Sequence, residues 1–381
     1  MKLFCCIIVW MFATTLYAQQ PRSTYDFATI ESIGYTIDQT LNEGNGSYFD
    51  SIFSFDLFSK RVLIKSQDTL TKKFNEGFTQ GLKERFTFSH QIINEVNQGA
   101  FYNYLKFYMD EDFQFHLIFR LYSPEGLNYH DFLVENTPQG YRLADVYVYI
   151  TGENMSDTFK SVYLSLIPSK SKDYTNFKEY ILSIVKLKNA AELRREGKYK
   201  AAFRQFKKMP EKYRQQKIFK LNYVLATQHI SEKKYLEALS EYKNSFPKDA
   251  SLYLLLMDGY FLNGDYDQCL ESLDSLDMML DGDAFLDLYR ANIYYQKGDI
   301  DKSEAYMQAL LENFPTFYDG YNNMLLLYVD SKQYNKAVEF LDRLMAELEV
   351  PKEYIQKVVE ETYGDFAKSG QFIDWKEKHE Q

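Results

Sequence analysis

The chain has 381 residues, enough for two or three domains. It is 45% hydrophobic and 26% charged, close to the globular average, which excludes wholesale disorder. A formal charge of −10 excludes nucleic-acid binding by bulk electrostatics.

Met1 to Ala18 reads as an export signal. Lys2 supplies the positive start, Leu3 to Ala13 the apolar stretch, and Ala18 the small residue at the cut. That stretch is well short of the ~20 residues that span a bilayer. The protein is therefore expected to be exported, periplasmic or extracellular, with no transmembrane segment after cleavage. Cutting there leaves Cys269 as the one cysteine, so no disulfide can form within the chain and packing alone must hold the mature fold.

The front half, about residues 25–167, predicts helices followed by strands. Phe27 to Leu41 and Ser51 to Phe58 read as helices, and Arg61 to Lys65 as a short strand. Leu70 to Val96 reads as one long amphipathic helix, with Phe74, Phe78, Leu82 and Phe86 four apart. Inside it, Gly77-x-x-x-Gly81 suggests a close-packing contact. Four runs rich in Tyr, Phe and Val follow: Phe101 to Met109, Phe113 to Tyr122, Leu127 to Glu135 and Tyr141 to Ile150. Turn residues separate them, as in Ser123-Pro124-Glu125-Gly126 and Thr137-Pro138-Gln139-Gly140. Helices first and a four-stranded antiparallel meander after them predict an α+β domain. This order, with the closing run Gly140 to Val148, resembles the NTF2-like folds, in which helices fill the concave side of a curved sheet.

No histidine stands at metal-ligand spacing, and no nucleophile elbow, phosphate loop or dinucleotide fingerprint occurs. No catalytic residue, metal or cofactor is therefore expected. One constellation is worth placing: His116, His130, Asp131 and Asp145 all fall in the meander. Alternation puts His130 on the side of Phe132 and Asp131 on the side of Tyr129 and Leu133, and sets Asp145 with Leu143 and Tyr147. A buried Asp145 beside Tyr hydroxyls would have the makings of a general base.

A helical segment around residues 156–186 leads into a repetitive back half, residues 176–381. Tyr260, Tyr294 and Tyr328 lie 34 residues apart, and so do Cys269, Ser303 and Ala337. The turns Gly264-Asp265-Tyr266, Gly298-Asp299-Ile300 and Lys332-Gln333-Tyr334 keep the same step. Ala291-x-x-Tyr294, Ser303 and Pro315 complete a pattern that resembles the tetratricopeptide repeat, a helix-turn-helix unit of that length. Weaker copies around Tyr199 and Tyr235, and a degenerate end at Gly370 to Trp375, bring the array to five units and a cap. The resemblance implies an all-α superhelical solenoid, in which each hairpin buries its apolar side against its neighbours. On that reading Cys269 is a buried small residue.

The resemblance also implies an inner groove that receives a protein or peptide. Tyr253, Asn292 and Tyr321 on the first helices of their units are its candidate lining, since large amphipathic rings suit interfaces. A second candidate surface is cationic. Between Glu192 and Lys220 eleven basic residues face three acids, among them Arg194, Arg195, Lys198, Lys200, Arg204, Lys207 and Lys208. Nucleic acid is not an expected partner. The expectation is an exported, non-enzymatic scaffold; the alternative is a ligand-binding or enzymatic front domain that the repeats cap or bring into oligomers.

Overall fold

Asp26 accepts the backbone N–H of Thr29 at 3.0 Å and so starts α1 (Phe27–Asn42), whose Ile30, Ile33, Ile37 and Leu41 form one buried side. The computed structural model describes residues 26–123, 126–166, 174–247 and 251–379, and the stretch 1–18, expected from its sequence to be an export signal, lies outside them. Two short helices follow, α2 (Ser47–Ile52) and α3 (Phe55–Val62), where one was expected. The break has a cause. Phe53 bridges to Leu143, the Ser54 N–H donates to the Leu143 carbonyl at 2.8 Å, and the Ser54 hydroxyl then caps α3. The expected strand over Arg61 to Lys65 is absent, because Val62 is buried one turn after Phe58 on the same helix.

The expected long helix is also two, α4 (Thr69–Arg85) and α5 (Phe88–Asn97). Phe86 turns extended between them, which drops its ring onto Phe53 at 4.4 Å and against Phe55 at 5.0 Å. Gly77 and Gly81 make no close-packing contact, since a Cβ at either would meet nothing within 4 Å.

The strands are β1 (Phe101–Met109), β2 (Phe115–Ser123), β3 (Gly126–Thr137), β4 (Gly140–Val148) and a short fifth, β5 (Glu153–Asn154). They pair in sequence order, all antiparallel, so the expected meander gains one strand at the β4 edge. Phe113 sits in the preceding turn at φ 60°, so β2 begins two residues later than expected. Then comes α6 (Met155–Leu166). Alternation splits the sheet cleanly. Tyr102, Tyr104, Leu117, Phe119 and Phe132 join α1–α5 in one aromatic core, while Ile118, Arg120, Tyr122 and Tyr129 point the other way.

The rest of the chain is helical. It runs through α7 (Tyr174–Arg195), α8 (Tyr199–Lys207), α9 (Glu211–Arg214), α10 (Lys217–Thr227), α11 (Glu232–Ser245), α12 (Ser251–Asn263) and α13 (Tyr266–Leu280). A 3-10 turn, Ala284–Leu286, precedes α14 (Asp287–Lys297), α15 (Ile300–Asn313), α16 (Tyr318–Asp330) and α17 (Tyr334–Leu348). The chain ends with α18 (Lys352–Thr362), α19 (Gly364–Ala367) and α20 (Gly370–Lys378). Consecutive helices pair as hairpins, α7 with α8, α10 with α11, α12 with α13, α14 with α15 and α16 with α17. The marked small residues Ala202, Ala238, Cys269, Ser303 and Ala337 are all buried, where a longer side chain would part the helices. Gly264 and Gly298 take φ of 76° and 79° in the hairpin turns, and Lys332 holds the equivalent turn at 58°. No described helix is long and apolar enough to cross a membrane.

Candidate functional site

The outward face of the sheet is not open to water. It lies against the connectors that lead from one hairpin to the next. Arg120, 1% exposed, donates to the Asp283 carboxylate, and the Tyr129 hydroxyl donates to the other oxygen of Asp283 at 2.8 Å. The guanidinium is clamped between rings, 4.3 Å from the centre of Phe285 and 4.8 Å from that of Phe314, and donates to Asn103 at 3.1 Å. Lys106 reaches Asp281 at 3.2 Å. Rings continue the seam, Tyr122 on Phe285 at 4.9 Å and Phe101 on Phe317 at 5.5 Å, and Lys217 at the start of α10 donates to the Gly152 carbonyl at 2.6 Å. Two connectors thus rest on the sheet, and the start of α10 is tied to the turn after β4.

That seam decides where the candidate groove residues lie. Tyr253 is half-buried in the cluster that joins the sheet residues Ile118, Leu127 and Tyr129 to α12 and α13. Tyr321, two repeats further on, is 7% exposed and stacks on Phe340 at 6.0 Å. Asn292 is exposed, as are Asp258 and Leu326 at the same repeat position. The position shared by Tyr253, Asp287 and Tyr321 precedes that of Asn292 by five residues, about 140° around a helix. The three candidates therefore do not share one wall. Asn292 faces water, while the two tyrosines turn inward.

Tyr321 nevertheless borders an opening. Upstream, each second helix packs along the first helix of the next hairpin: α11 on α12, α13 on α14, α15 on α16. At the last junction α17 packs against α20 rather than along α18. The gap between α16 and α18 is a groove of about 540 Å³, walled by Tyr318, Tyr321, Leu325, Leu344, Tyr354 and Val358. Tyr318 and Tyr354 are 61% and 62% exposed, rings left facing water at its mouth. Burial raises the Tyr321 phenol, and the Glu347 carboxylate nearby adds to the rise. Glu353 and Glu361 on α18 are exposed as well. The sequence signal was present. Thr362 stands 34 residues after Tyr328, where the tyrosine column should continue, so the period fails where the stack opens.

The cationic candidates are scattered more than their spacing in the chain suggests. Lys200, Arg204 and Lys207 line one exposed side of α8, with Lys208 at its end. Lys207 leans over the Phe203 ring at 5.0 Å, and Lys198 pairs with Glu196 at 2.7 Å. Arg194 turns away from this stripe and lines a cavity between the two halves. The Arg195 side chain lies outside the described part of the structure.

Of the four meander candidates only His116 and Asp131 come together. His130 points into the aromatic core, and burial pushes its imidazole down to about 3. His116 and Asp131 lie on the opposite face, Nδ1 to Oδ1 2.8 Å, with Asp110 3.3 Å from Nε2 and the Tyr108 hydroxyl donating to Asp131 at 2.6 Å. Burial lowers the His116 pKa, but the hydrogen bonds and charges of the two carboxylates outweigh it and the net shift is upward. Asp145 meets no Tyr hydroxyl. The skipped pairing between Leu133 and Val134 separates it from the face of Leu143, and it accepts from the Ser156 hydroxyl and from the Ser156 N–H at 3.1 Å, with Arg61 3.8 Å away. The general-base arrangement is not built. Among the described residues no cluster of His, Cys, Asp and Glu is placed to hold a metal.

Cys269 is buried, its thiol pushed up to about 12 by desolvation and directed at the Met257 carbonyl 3.3 Å away. It packs as a small buried residue, as the repeat pattern predicts. No protein-family model matches the chain, and no curated protein matches it.

Proposed function

We propose that the chain is an exported, non-enzymatic interaction scaffold, whose repeat half works as a tetratricopeptide-type solenoid and takes a segment of another protein. The observation that carries the reading is the opened stack between α16 and α18, where apolar side chains and two exposed tyrosine rings face water instead of a further helix. Tyrosine rings lose little freedom on binding and offer both an apolar face and a hydroxyl. The described lining carries no charged side chain, so the occupant that fits is an apolar segment. The front half is the brace. Its sheet ties two connectors together and so fixes the angle at which the hairpins present the groove.

A displayed library of random peptides panned on the full chain tests this. Enriched peptides should carry clustered apolar residues, and a Val358→Arg variant that folds normally should weaken their binding about tenfold or more. An unenriched library, or peptides that bind Val358→Arg as well as the parent, would refute the reading.

A further inference from the structure

A cavity of about 370 Å³ lies where the two halves meet, away from the groove just described. One wall comes from the front half, with Phe88, Leu121 and Ile150 among its residues; the other comes from α7 and α10, with Arg194, Leu221 and Leu225. Its volume falls at the small end of the range for ligand pockets, and apolar side chains such as Phe88, Leu121 and Leu225 share its lining with polar ones such as Gln91, Thr151 and Asn222.

The polar floor fixes what such a ligand must look like. Asn128 Oδ1 accepts the N–H of Tyr129 and of Ile150, both at 2.9 Å, so its amide nitrogen is the end that faces His130 Nε2 at 3.2 Å. The imidazole must then accept at Nε2 and hold its one proton on Nδ1, which faces the Tyr102 hydroxyl at 3.3 Å. This network is neutral and already satisfied. Among the described lining residues Glu95 and Arg194 carry the formal charges, one of each sign. The described lining is more apolar than polar, with a neutral hydrogen-bonded network and no net formal charge.

We propose that this cavity binds a small, uncharged, largely apolar molecule, held between the α+β half and the repeats. The inference is independent of the scaffold reading, since none of the cavity residues borders the α16–α18 groove. An occupant would touch both halves at once and stabilise their junction by linkage.

The test uses the full chain and N-phenyl-1-naphthylamine, an uncharged probe that fluoresces in apolar surroundings. Saturable binding of one probe per chain is expected. Leu225→Trp and Ile150→Trp fill the cavity from its two walls and should each weaken binding about tenfold or more. Displacement by 2-naphthol should be about tenfold more effective than by 2-naphthoate, which has the same rings with an anionic head. Photolabelling of the unmodified chain with an aryl azide of the probe keeps the test decisive if both variants fail to fold, and labels should fall on peptides containing residues 88–95 or 221–225. No saturable binding, undiminished binding by both folded variants, preference for the naphthoate, or labels elsewhere would each overturn the proposal.

Discussion

Arg120 illustrates what a single residue does in this molecule. A guanidinium that is 1% exposed survives because one carboxylate, one amide and two aromatic faces replace its water, with only Nε left without a partner among the described residues. Arg120→Ala strands the Asp283 charge in the seam and should cost about 3–5 kcal/mol, read by urea denaturation. Arg120→Met paired with Asp283→Asn should recover part of that loss, because no buried charge is left alone. The two meander histidines carry opposite pH signatures. His116 has a folded pKa above its ordinary value of about 6.5, so its stabilisation is complete below that pH and fades as pH rises through the folded value. The stability gap between the parent and His116→Asn should therefore be wider at about pH 6 than at about pH 9. His130, held near 3, works the other way: folding selects its neutral form, and stability is lost as pH falls below about 6.5. His130→Gln should flatten that acid-side loss in the same urea series. Alternation along β3 was enough to separate His130 from Asp131 in advance. Nothing local in the sequence pairs Arg120 with an acid 163 positions later; the signal that remained was a lone cation inside an aromatic strand.

At the level of elements, periodicity located the helices and strands well and their interruptions poorly. The interruptions are tertiary events. Phe53 and Phe86 leave helical backbone to stack on each other, and no rule of spacing between neighbours sees a partner 33 residues away. The hairpin turns were legible because glycine is needed at the left-handed position, and Gly264 and Gly298 occupy it. Of the candidate groove residues, the ring of Tyr321 was placed beside an opening, but Asn292 and Tyr253 point to different surroundings because a five-residue step turns a helix to another side. Gly34 in α1 gives an element-scale prediction. A Cβ there would come within 2.3 Å of the Tyr104 ring, so the usual helix-favouring effect of Ala is overridden. Gly34→Ala should destabilise by about 1–3 kcal/mol in thermal and chemical unfolding, and Tyr104→Leu in the same chain should restore much of it.

For the whole molecule, the seam makes the halves interdependent. One hydrophobic cluster contains strand residues such as Ile118 and Tyr129 together with Leu273 and Leu276 of α13, so neither half covers its apolar surface alone. Far-ultraviolet and near-ultraviolet signals should therefore report a single coincident unfolding transition in the full chain. Two separated transitions would mean that the seam carries little coupling. This also explains why the division of the chain into an α+β part and a helical part was readable from composition and period, while their docking was not. Docking depends on connectors, which have no periodicity of their own.

The distance along the chain between Arg120 and Asp283 also sets an order of events during synthesis. At ordinary elongation rates of about 5–20 residues per second, the sheet finished at Asn154 waits roughly 6–26 s for its counter-charge to emerge. Through that interval an aromatic surface with a cation at its centre has nothing of its own to lie on. A nascent chain halted after residue 247 should consequently engage chaperones or precipitate, whereas one extended past the Phe314–Phe317 connector should stay in solution.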